Sequence, residues 1–228
     1  MSKSLRQQTD AQIEKTRQAK PEFMQAVDAL MESAREFQEG KKSIGVGVTA
    51  PDFELPNANG EPVSLSKLLA EGPVVVTFYR GDWCPYCNLE LRALREKMPD
   101  FRALGAQLVA ISPQVPDQSL SSSEKETLPF AVLSDQDALV AARYGVAWEV
   151  PALLLEHMRN DRDLHLERLN NGNGKILPIP ATFVVDGNAQ VIWQHVDVDY
   201  RTRAEPDDIV AALERLRENS KGGVGSSI

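Results

Sequence analysis

The clearest pattern of apolar and polar positions lies near the middle of the chain. Residues 74–79 are β-branched or aromatic and predict a buried strand. Residues 80–82 predict a short turn, with Asp82 or Trp83 at the cap of the next element. Apolar residues recur at helical spacing from Pro85 onward, so we expect a helix to begin there. The rest of the fold is predicted around this strand and helix.

Strands and helices alternate after this central unit. Such alternation predicts parallel strand pairing and a layered α/β structure. The turn residues Asp186-Gly-Asn188 separate the last two strands and predict an antiparallel hairpin. The predicted elements are strands at 107–112 and 130–133, helices at 119–128 and 134–144, hairpin strands at 181–185 and 190–195, and a terminal helix at 206–218.

Three further segments complete the predicted order. Residues 52–65 predict a hairpin, followed by a short helix that Ser66 caps and that ends at Leu69. From Pro21 an amphipathic helix is expected, packing on the domain or on a second subunit, with apolar positions at Phe23, Val27, Leu30, Met31, Ala34 and Phe37 and a stop at Gly40. Residues 150–169 predict a helical insert whose inner face is Leu153, Leu154, His157, Met158 and Leu164.

This order predicts an α/β protein with a thioredoxin-like fold. We expect three α/β/α layers around a mixed central sheet, with an N-terminal hairpin and an extra N-terminal helix. The predicted division is a helical extension at 1–40, a thioredoxin-like domain at 41–219 that contains the insert at 150–169, and a flexible tail at 220–228.

Charge and composition exclude several functional classes. The chain has 228 residues and a formal net charge of −8, which argues against binding to nucleic acid or to an anionic membrane surface. Residues 1–10 lack the apolar core of a secretory signal, so a cytoplasmic location is expected. Two cysteines make a poor disulfide framework but a plausible reversible pair.

Cys84 and Cys87 are the candidate chemical groups. Cysteines at positions i and i+3 of a first helical turn lie on one side of the helix, and the helix N-terminus favours a thiolate. The geometry predicts that the first cysteine faces solvent. A zinc site is the weaker alternative, because His157, His165 and His195 lack the ligand spacing. Inert core cysteines are a second alternative, and we expect neither a metal nor a cofactor.

Pro180 is a second candidate for the site. It lies directly before a predicted strand, where a cis peptide bond could face the cysteines. A proline that merely begins a strand is the alternative interpretation.

Several of these segments together resemble the peroxiredoxin (alkyl hydroperoxide reductase/thiol-specific antioxidant, AhpC/TSA) family. The resemblance spans about residues 45–215, and its nearest branch has Cys-x-x-Cys where ordinary members have Thr-x-x-Cys. It is carried by Ala50-Pro-Asp-Phe-Glu-Leu55, Asn59-Gly60, residues 74–79, the cysteine region and Pro180-Ala-Thr-Phe-Val-Val-Asp186.

The resemblance implies roles for individual residues. Cys87 takes the peroxidatic position, Cys84 that of the usual threonine, and Glu90 that of the acidic residue which follows. Arg80 stands where the family has a shielding proline, and Pro180 stands near the place of the usual peroxide-polarising arginine.

Three functions stay open at this point. In a peroxidase, Cys87 attacks a hydroperoxide, Cys84 resolves the sulfenic acid, and a thioredoxin- or glutaredoxin-type donor reduces the disulfide. In a thiol–disulfide oxidoreductase, Cys84 attacks a protein disulfide and Pro180 positions that partner. In a redox-sensing binding protein, the bridge is a switch without turnover. Trp83 is expected beside the thiols in each case, and the assembly could be a homodimer.

Overall fold

The computed structural model describes residues 3–36, 41–115 and 128–222. Its strands are β1 (Glu54–Pro56), β2 (Pro62–Ser64), β3 (Val74–Phe78), β4 (Gln107–Ser112), β5 (Ala131–Ser134), β6 (Ala147–Glu149), β7 (Ile176–Pro178), β8 (Ala181–Val185) and β9 (Val191–Val196). Its α-helices are α1 (Leu5–Ala19), α2 (Pro21–Glu36), α3 (Leu65–Leu69), α4 (Pro85–Ala103), α5 (Leu139–Arg143), α6 (Ala152–Arg162), α7 (Leu166–Leu169) and α8 (Pro206–Gly222).

A five-stranded mixed sheet in the order β5-β4-β3-β8-β9 forms the centre of the fold. β3 pairs in parallel with β4 and antiparallel with β8, where Val76 lies opposite Phe183. Every residue of β3 is buried, as expected for an apolar strand between two helical layers. The predicted α/β thioredoxin-like fold is confirmed. Because α4 begins a few residues after β3, the cysteines lie at the carboxyl end of the central strand.

Two apolar clusters hold helices against the two faces of this sheet. On one face, Leu94 and Phe101 of α4 pack with Ile209 and Leu213 of α8. The larger cluster contains Val27 and Met31 of α2, Phe78 of β3, and Leu154 and Met158 of α6. The N-terminal helices and the insert therefore belong to the same packed core as the central strand.

The N-terminal segment forms two helices, of which the second was predicted from Pro21. Met24, Val27, Met31 and Ala34 form the buried face of α2, whereas Phe37 and Gly40 lie outside the described residues. Glu205 accepts hydrogen bonds from the free N–H groups of Leu5 and Arg6, where a carboxylate suits the helix dipole. These hydrogen bonds hold the start of α1 near the start of α8.

The predicted hairpin at 52–65 is present as β1 and β2, but the cap of α3 differs from the prediction. Ser64, rather than Ser66, occupies the N-cap, and it makes no side-chain capping bond. Asp52 Oδ1 accepts from the N–H groups of Phe53 and Ser66 instead. The carboxylate of Asp52 thus accepts from an N–H group at the start of α3, a role that the sequence predicted for a serine side chain.

The insert at 150–169 is two helices rather than one. Asp163 has a φ of 50°, a left-handed conformation that ends α6 before α7 begins. Leu153 is 37% exposed, so its predicted place on the inner face is wrong, while Leu154 and Met158 are buried there. The antiparallel pair β6 and β7 was not predicted from the sequence. Each strand is only three residues long, and β7 ends with Pro178.

The remaining differences concern helix ends. The segment predicted as one helix at 134–144 contains a 3₁₀ turn, Gln136–Ala138, before α5. α8 continues to Gly222, beyond the predicted end at Glu218. The helix predicted at 119–128 falls almost entirely outside the described residues, as does the tail from residue 223. The proposed division into extension, domain and tail stays a prediction.

Candidate active site

Cys84 occupies the N-cap of α4, and Cys87 is the third residue of that helix. The cap is therefore one or two residues later than the predicted Asp82 or Trp83. Pro85 explains this position, because a proline fits the first turn of a helix, where its missing N–H costs nothing. The turn before the cap needs Gly81, since a Cβ there would lie 2.3 Å from Trp83 Nε1.

Both thiols are free and buried. Cys84 is 2% exposed and Cys87 is 0% exposed, so the prediction of a solvent-facing Cys84 is wrong. The reason is that α1, α2 and α6 cover this end of the sheet. Between them lies a cavity of about 440 Å³, and Cys84 lines it whereas Cys87 does not.

The Cys87 sulfur accepts hydrogen bonds from two donors. Nη2 of Arg203 lies 3.2 Å from the Cys87 sulfur, and the backbone N–H of Arg80 donates to the same sulfur over 3.5 Å. The other side of the Arg203 guanidinium faces Glu90, with Nε 2.7 Å from Oε2. Both side chains of that ion pair are almost fully buried, at 1% and 2% exposure. One arginine thus links the sulfur to a carboxylate inside the protein.

Glu90 is held from the sheet side by Thr77. The Thr77 hydroxyl lies 3.5 Å from Oε1 of Glu90 and 3.0 Å from the hydroxyl of Thr182 on the neighbouring strand β8. Burial raises the pKa of Glu90 to about 7, although the charge of Arg203 opposes the rise. Glu90 is therefore a carboxyl group that can change its protonation state near neutral pH.

The two thiols ionise as a pair. Burial opposes ionisation of Cys84, but its hydrogen bond with Cys87 and the charges of Arg203 and Arg80 lower the pKa of Cys84 to about 5. Burial, the same hydrogen bond and the charge on Cys84 raise the pKa of Cys87 well above its ordinary value. The first proton therefore leaves the pair easily and the second with difficulty, so at neutral pH the pair carries one negative charge. The hydrogen bonds from Arg203 and from the N–H of Arg80 favour a negative charge on the Cys87 sulfur. The lowered pKa of Cys84 and the raised pKa of Cys87 favour that charge on Cys84 instead.

Arg80 and Trp83 line the same cavity as Cys84. The Arg80 guanidinium carbon lies 4.4 Å from the ring centre of Tyr200 and 5.3 Å from that of Trp83, a cation–π arrangement. Arg80 is 3% exposed, and its Nε has no hydrogen-bond partner among the described residues. The buried Arg80 guanidinium supplies positive charge near the Cys84 sulfur.

Pro180 does not have the predicted cis bond. Its peptide bond is trans, and β8 begins at the next residue, Ala181. Pro180 also does not line the cavity beside Cys84. The structure fits the alternative interpretation, a buried proline that precedes a strand.

Arg203 is the residue that sequence reasoning missed. The usual peroxide-polarising arginine was expected just before the late strand, where this chain has Pro180. Arg203 instead enters from the segment between β9 and α8, within Tyr200-Arg-Thr-Arg203. The only signal was a pair of closely spaced arginines in an acidic chain, and nothing in the local sequence says that one of them is buried.

Residues 46–194 match the protein-family model of the AhpC/TSA family. The chain belongs to this family. It is 30% identical over 172 residues to a putative peroxiredoxin of Mycobacterium tuberculosis, covering 75% of this chain and 97% of that protein. It is 35% identical over 103 residues to peroxiredoxin Bcp of Escherichia coli, covering 45% of this chain and 65% of that protein.

Solved structures agree with this assignment. The crystal structure of peroxidoxin BcpB from Mycobacterium tuberculosis matches with a TM-score of 0.58 and 28% identity, over 75% of this chain and 97% of that one. Membership in the AhpC/TSA family makes the protein a thiol-dependent peroxidase, as the resemblance implied. Cys84, Cys87 and Glu90 lie inside the matched segment, whereas α1, α2 and Arg203 lie outside it.

The described residues contain neither a cluster of metal ligands nor a membrane-spanning helix. In residues 3–36, 41–115 and 128–222, no three His, Cys, Asp or Glu side chains cluster as metal ligands would. Across the same ranges, no helix has both the length and the apolar character needed to cross a membrane.

Proposed function

We propose that the protein reduces hydroperoxides with Cys87 as the attacking thiolate and Cys84 as the resolving thiol. The observation that carries this assignment is the pair of hydrogen bonds to the Cys87 sulfur, from Arg203 and from the N–H of Arg80. Preorganised donors of this kind stabilise the thiolate and the negative charge that develops on the oxygen leaving the peroxide.

The first step oxidises Cys87. The hydrogen bond between the two sulfurs lets the Cys87 proton pass to Cys84, which leaves the negative charge on Cys87. The Cys87 thiolate then attacks one peroxide oxygen, the O–O bond breaks, and the second oxygen departs as water or an alcohol after taking up a proton. Cys87 becomes a sulfenic acid. Arg203 remains beside the sulfur throughout, so the departing oxygen meets a fixed positive charge.

The second step forms a disulfide. The Cys84 thiol attacks the sulfur of the sulfenic acid, its proton passes to the departing hydroxide, and water leaves. This step requires that the two sulfurs already lie together. The N-cap and third position of one helix place them on the same side of the first turn. An external thiol donor then reduces the disulfide, and a thioredoxin- or glutaredoxin-type protein is the donor that the family resemblance implies.

A second function is supported by the cavity. Cys84, not Cys87, lines the open space, and its pKa is lowered to about 5 against the effect of burial. These are the properties of the nucleophile in a thiol–disulfide oxidoreductase, in which Cys84 attacks the partner and Cys87 releases it.

Replacing each cysteine by serine separates the two functions. Rapid mixing of the reduced protein with hydrogen peroxide gives the rate of thiol oxidation. Cys87→Ser should abolish fast oxidation, whereas Cys84→Ser should keep it and stop at the sulfenic acid, detectable with a dimedone-type probe. Fast oxidation in Cys87→Ser but not in Cys84→Ser, or a wild-type rate no faster than a free thiol, would contradict the proposal. Reduction of a model protein disulfide that depends on Cys84 would support the oxidoreductase instead.

We also propose a reducing compartment, the cytoplasm, because a reversible pair formed by the only two cysteines needs a supply of reductant. A homodimer is a further proposal, which native mass spectrometry of the full chain tests directly.

A further inference from the structure

We propose that the cavity at Cys84 binds a small anionic thiol, which reduces the Cys84–Cys87 disulfide directly. The ligand class is a thiol of amino-acid or short-peptide size that carries a carboxylate. This inference rests on the proposed function, because it assumes that the catalytic cycle passes through that disulfide.

The cavity is a built feature of this chain. Its floor contains Cys84, Trp83 and Tyr200, and its walls come from α1, α2 and α6 through residues such as Phe23 and Met158. The family match begins at residue 46, so α1 and α2, which form part of these walls, are additions to the shared family domain. At about 440 Å³ the space suits a small organic molecule rather than hydrogen peroxide alone.

The charge of the cavity is opposite to that of the protein. The chain carries a formal net charge of −8. The cavity is nevertheless lined by Lys15, Lys20, Arg80 and Arg162, and among the described lining residues Asp161 is the one carboxylate. Asp161 is already paired, 2.9 Å from Lys20 and 2.6 Å from His157. A carboxylate on the ligand would therefore meet an excess of positive charge.

Arg80 gives the strongest local reason for an anion. It is 3% exposed, its Nε lacks a hydrogen-bond partner within the described part of the chain, and it makes no ion pair there. A buried cation without a carboxylate is costly, so an anionic group in the cavity would be stabilised beside it. When the cysteines are joined in a disulfide, the thiolate no longer supplies that negative charge, and the need for a ligand anion increases.

The surroundings of the two sulfurs set the direction of attack. The incoming thiolate reaches Cys84, which lines the cavity, and forms a mixed disulfide as the Cys84–Cys87 bond breaks. Cys87 leaves as a thiolate, stabilised by Arg203 and the N–H of Arg80. A second thiol attacks the ligand sulfur of the mixed disulfide, which gives the free ligand disulfide and the Cys84 thiolate. Two thiols thus supply the two electrons that reduce one disulfide.

The same architecture disfavours a protein donor in the described conformation. A thioredoxin-type protein must bring its own cysteine against the sulfur that it attacks. Here Cys84 is 2% exposed beneath the N-terminal helices and the insert. A small thiol can enter the cavity, whereas a folded protein needs those helices to move first.

The test compares two thiols with the same skeleton, one anionic and one neutral. The full-length protein is oxidised to the disulfide with diamide, so that the experiment does not depend on peroxide chemistry. It is then mixed with N-acetylcysteine or with its neutral amide, and reduction is followed through tryptophan fluorescence and confirmed by mass spectrometry of alkylated thiols. Per unit thiolate, the anion should react about tenfold faster at low ionic strength, and salt should shrink this advantage.

Two matched pairs of variants test the place of binding. Lys15→Glu should remove most of the advantage of the anion, whereas Lys67→Glu, the same change at an exposed lysine of α3 outside the cavity, should keep it. Ala19→Trp fills the cavity and should slow reduction by both thiols at least about tenfold. Ala11→Trp, at an exposed α1 position away from the cavity, should leave the rate unchanged.

The outcomes separate this inference from the proposed function. Equal rates for the two thiols, no effect of Ala19→Trp, or reduction by a thioredoxin-type protein but by neither small thiol would overturn the inference. Failure of peroxide to oxidise the reduced protein would overturn the proposed function. The inference could still be tested in that case, because diamide forms the disulfide without peroxide.

Discussion

The two sulfurs of the cysteine pair lie in opposite surroundings, although they belong to the same turn of one helix. Cys87 is closed off from solvent and receives hydrogen bonds from Arg203 and from a backbone N–H. Cys84 lines an open cavity with apolar walls and basic side chains. One sulfur is placed to hold a charge, and the other is placed to meet a molecule from outside. This difference suits a cycle in which oxidation and reduction occur at different sulfurs.

The two surroundings also have different origins in the chain. The Cys87 side is made by the sheet and the helices packed on it, through Thr77, Thr182, Glu90 and Arg203. The Cys84 side is made largely by the N-terminal helices and the insert. A change on one side should therefore alter one half of the cycle more than the other.

Loss of Arg203 should have the largest effect. Arg203→Met removes the guanidinium donor from Cys87, and we expect the rate of oxidation by hydrogen peroxide to fall about 100- to 1000-fold. Reduction of the diamide-generated disulfide should fall less, because attack at Cys84 loses only the stabilisation of the leaving thiolate. Both rates can be measured by rapid mixing with tryptophan fluorescence.

The matched control is Arg217→Met, at an exposed arginine of α8, which should leave both rates unchanged. Urea unfolding of each variant shows whether the protein still folds, since Arg203→Met also leaves Glu90 buried without its partner. A folded Arg203→Met variant with the wild-type oxidation rate would show that Arg203 does not activate Cys87.

Glu90 should make stability depend on pH in an unusual direction. Its pKa rises from 4.5 to about 7 on folding, so between these values the folded state holds a proton that the unfolded state has lost. The contribution of Glu90 to stability is therefore complete below about pH 4.5 and is lost as the pH rises through about 7. Glu90→Gln should remove this loss, on the order of 3 kcal/mol across that window. Urea unfolding at several pH values measures it.

An exposed carboxylate provides the comparison for this slope. Glu214→Gln on α8 should reproduce the pH dependence of the wild type. If Glu90→Gln also has the pH dependence of the wild type, then the pKa of Glu90 is not raised by folding. Glu90 would then be ionised in the folded protein at low pH and would not respond to the charges around Cys87.

The sequence predicted the central unit because local signals there agree. The apolar run at 74–79, the glycine turn and the proline before a helical pattern each allow one interpretation, and all of them predict a strand followed by a helix with the cysteines at its start. The insert at 150–169 gave a weaker result, because the break at Asp163 depends on a left-handed residue that the helical periodicity does not reveal. Short strands such as β6 and β7 depend on their partner rather than on their own composition.

The site itself was only half predictable. Cys84, Cys87 and Glu90 share a helix, so their spacing places them together. Arg203 is 116 residues from Cys87 and reaches it only because β9 and α8 return the chain to this end of the sheet. The burial of Cys84 has the same explanation, since the helices that cover it are distant in sequence. Contacts of that kind follow from tertiary packing, which no local pattern encodes.

The difference in access predicts the order of alkylation. Iodoacetamide should modify Cys84 at least about tenfold faster than Cys87 in the reduced protein, because a reagent must enter through the cavity to reach a thiolate. The rate should fall as the pH drops through about 5, where the cysteine pair takes up the proton that removes its negative charge. Peptide mass spectrometry of partly alkylated protein gives both rates. Faster modification of Cys87 would reverse the assignment of the exposed and the closed sulfur.

The smallest effect is expected at the ion pair across the mouth of the cavity. Lys20 lies 2.9 Å from Asp161 of α6, and both side chains are 43% exposed. Exposed pairs contribute little because water screens both charges. Lys20→Ala should therefore change the rate of Cys84 alkylation by less than about twofold and leave the thermal unfolding midpoint almost unchanged. An alkylation rate that rises several-fold, equally at low and high salt, would show instead that the Lys20 side chain keeps the cavity closed. Lys20 would then limit the access of reagents to Cys84, and the two sulfurs would differ less in accessibility than the cavity suggests.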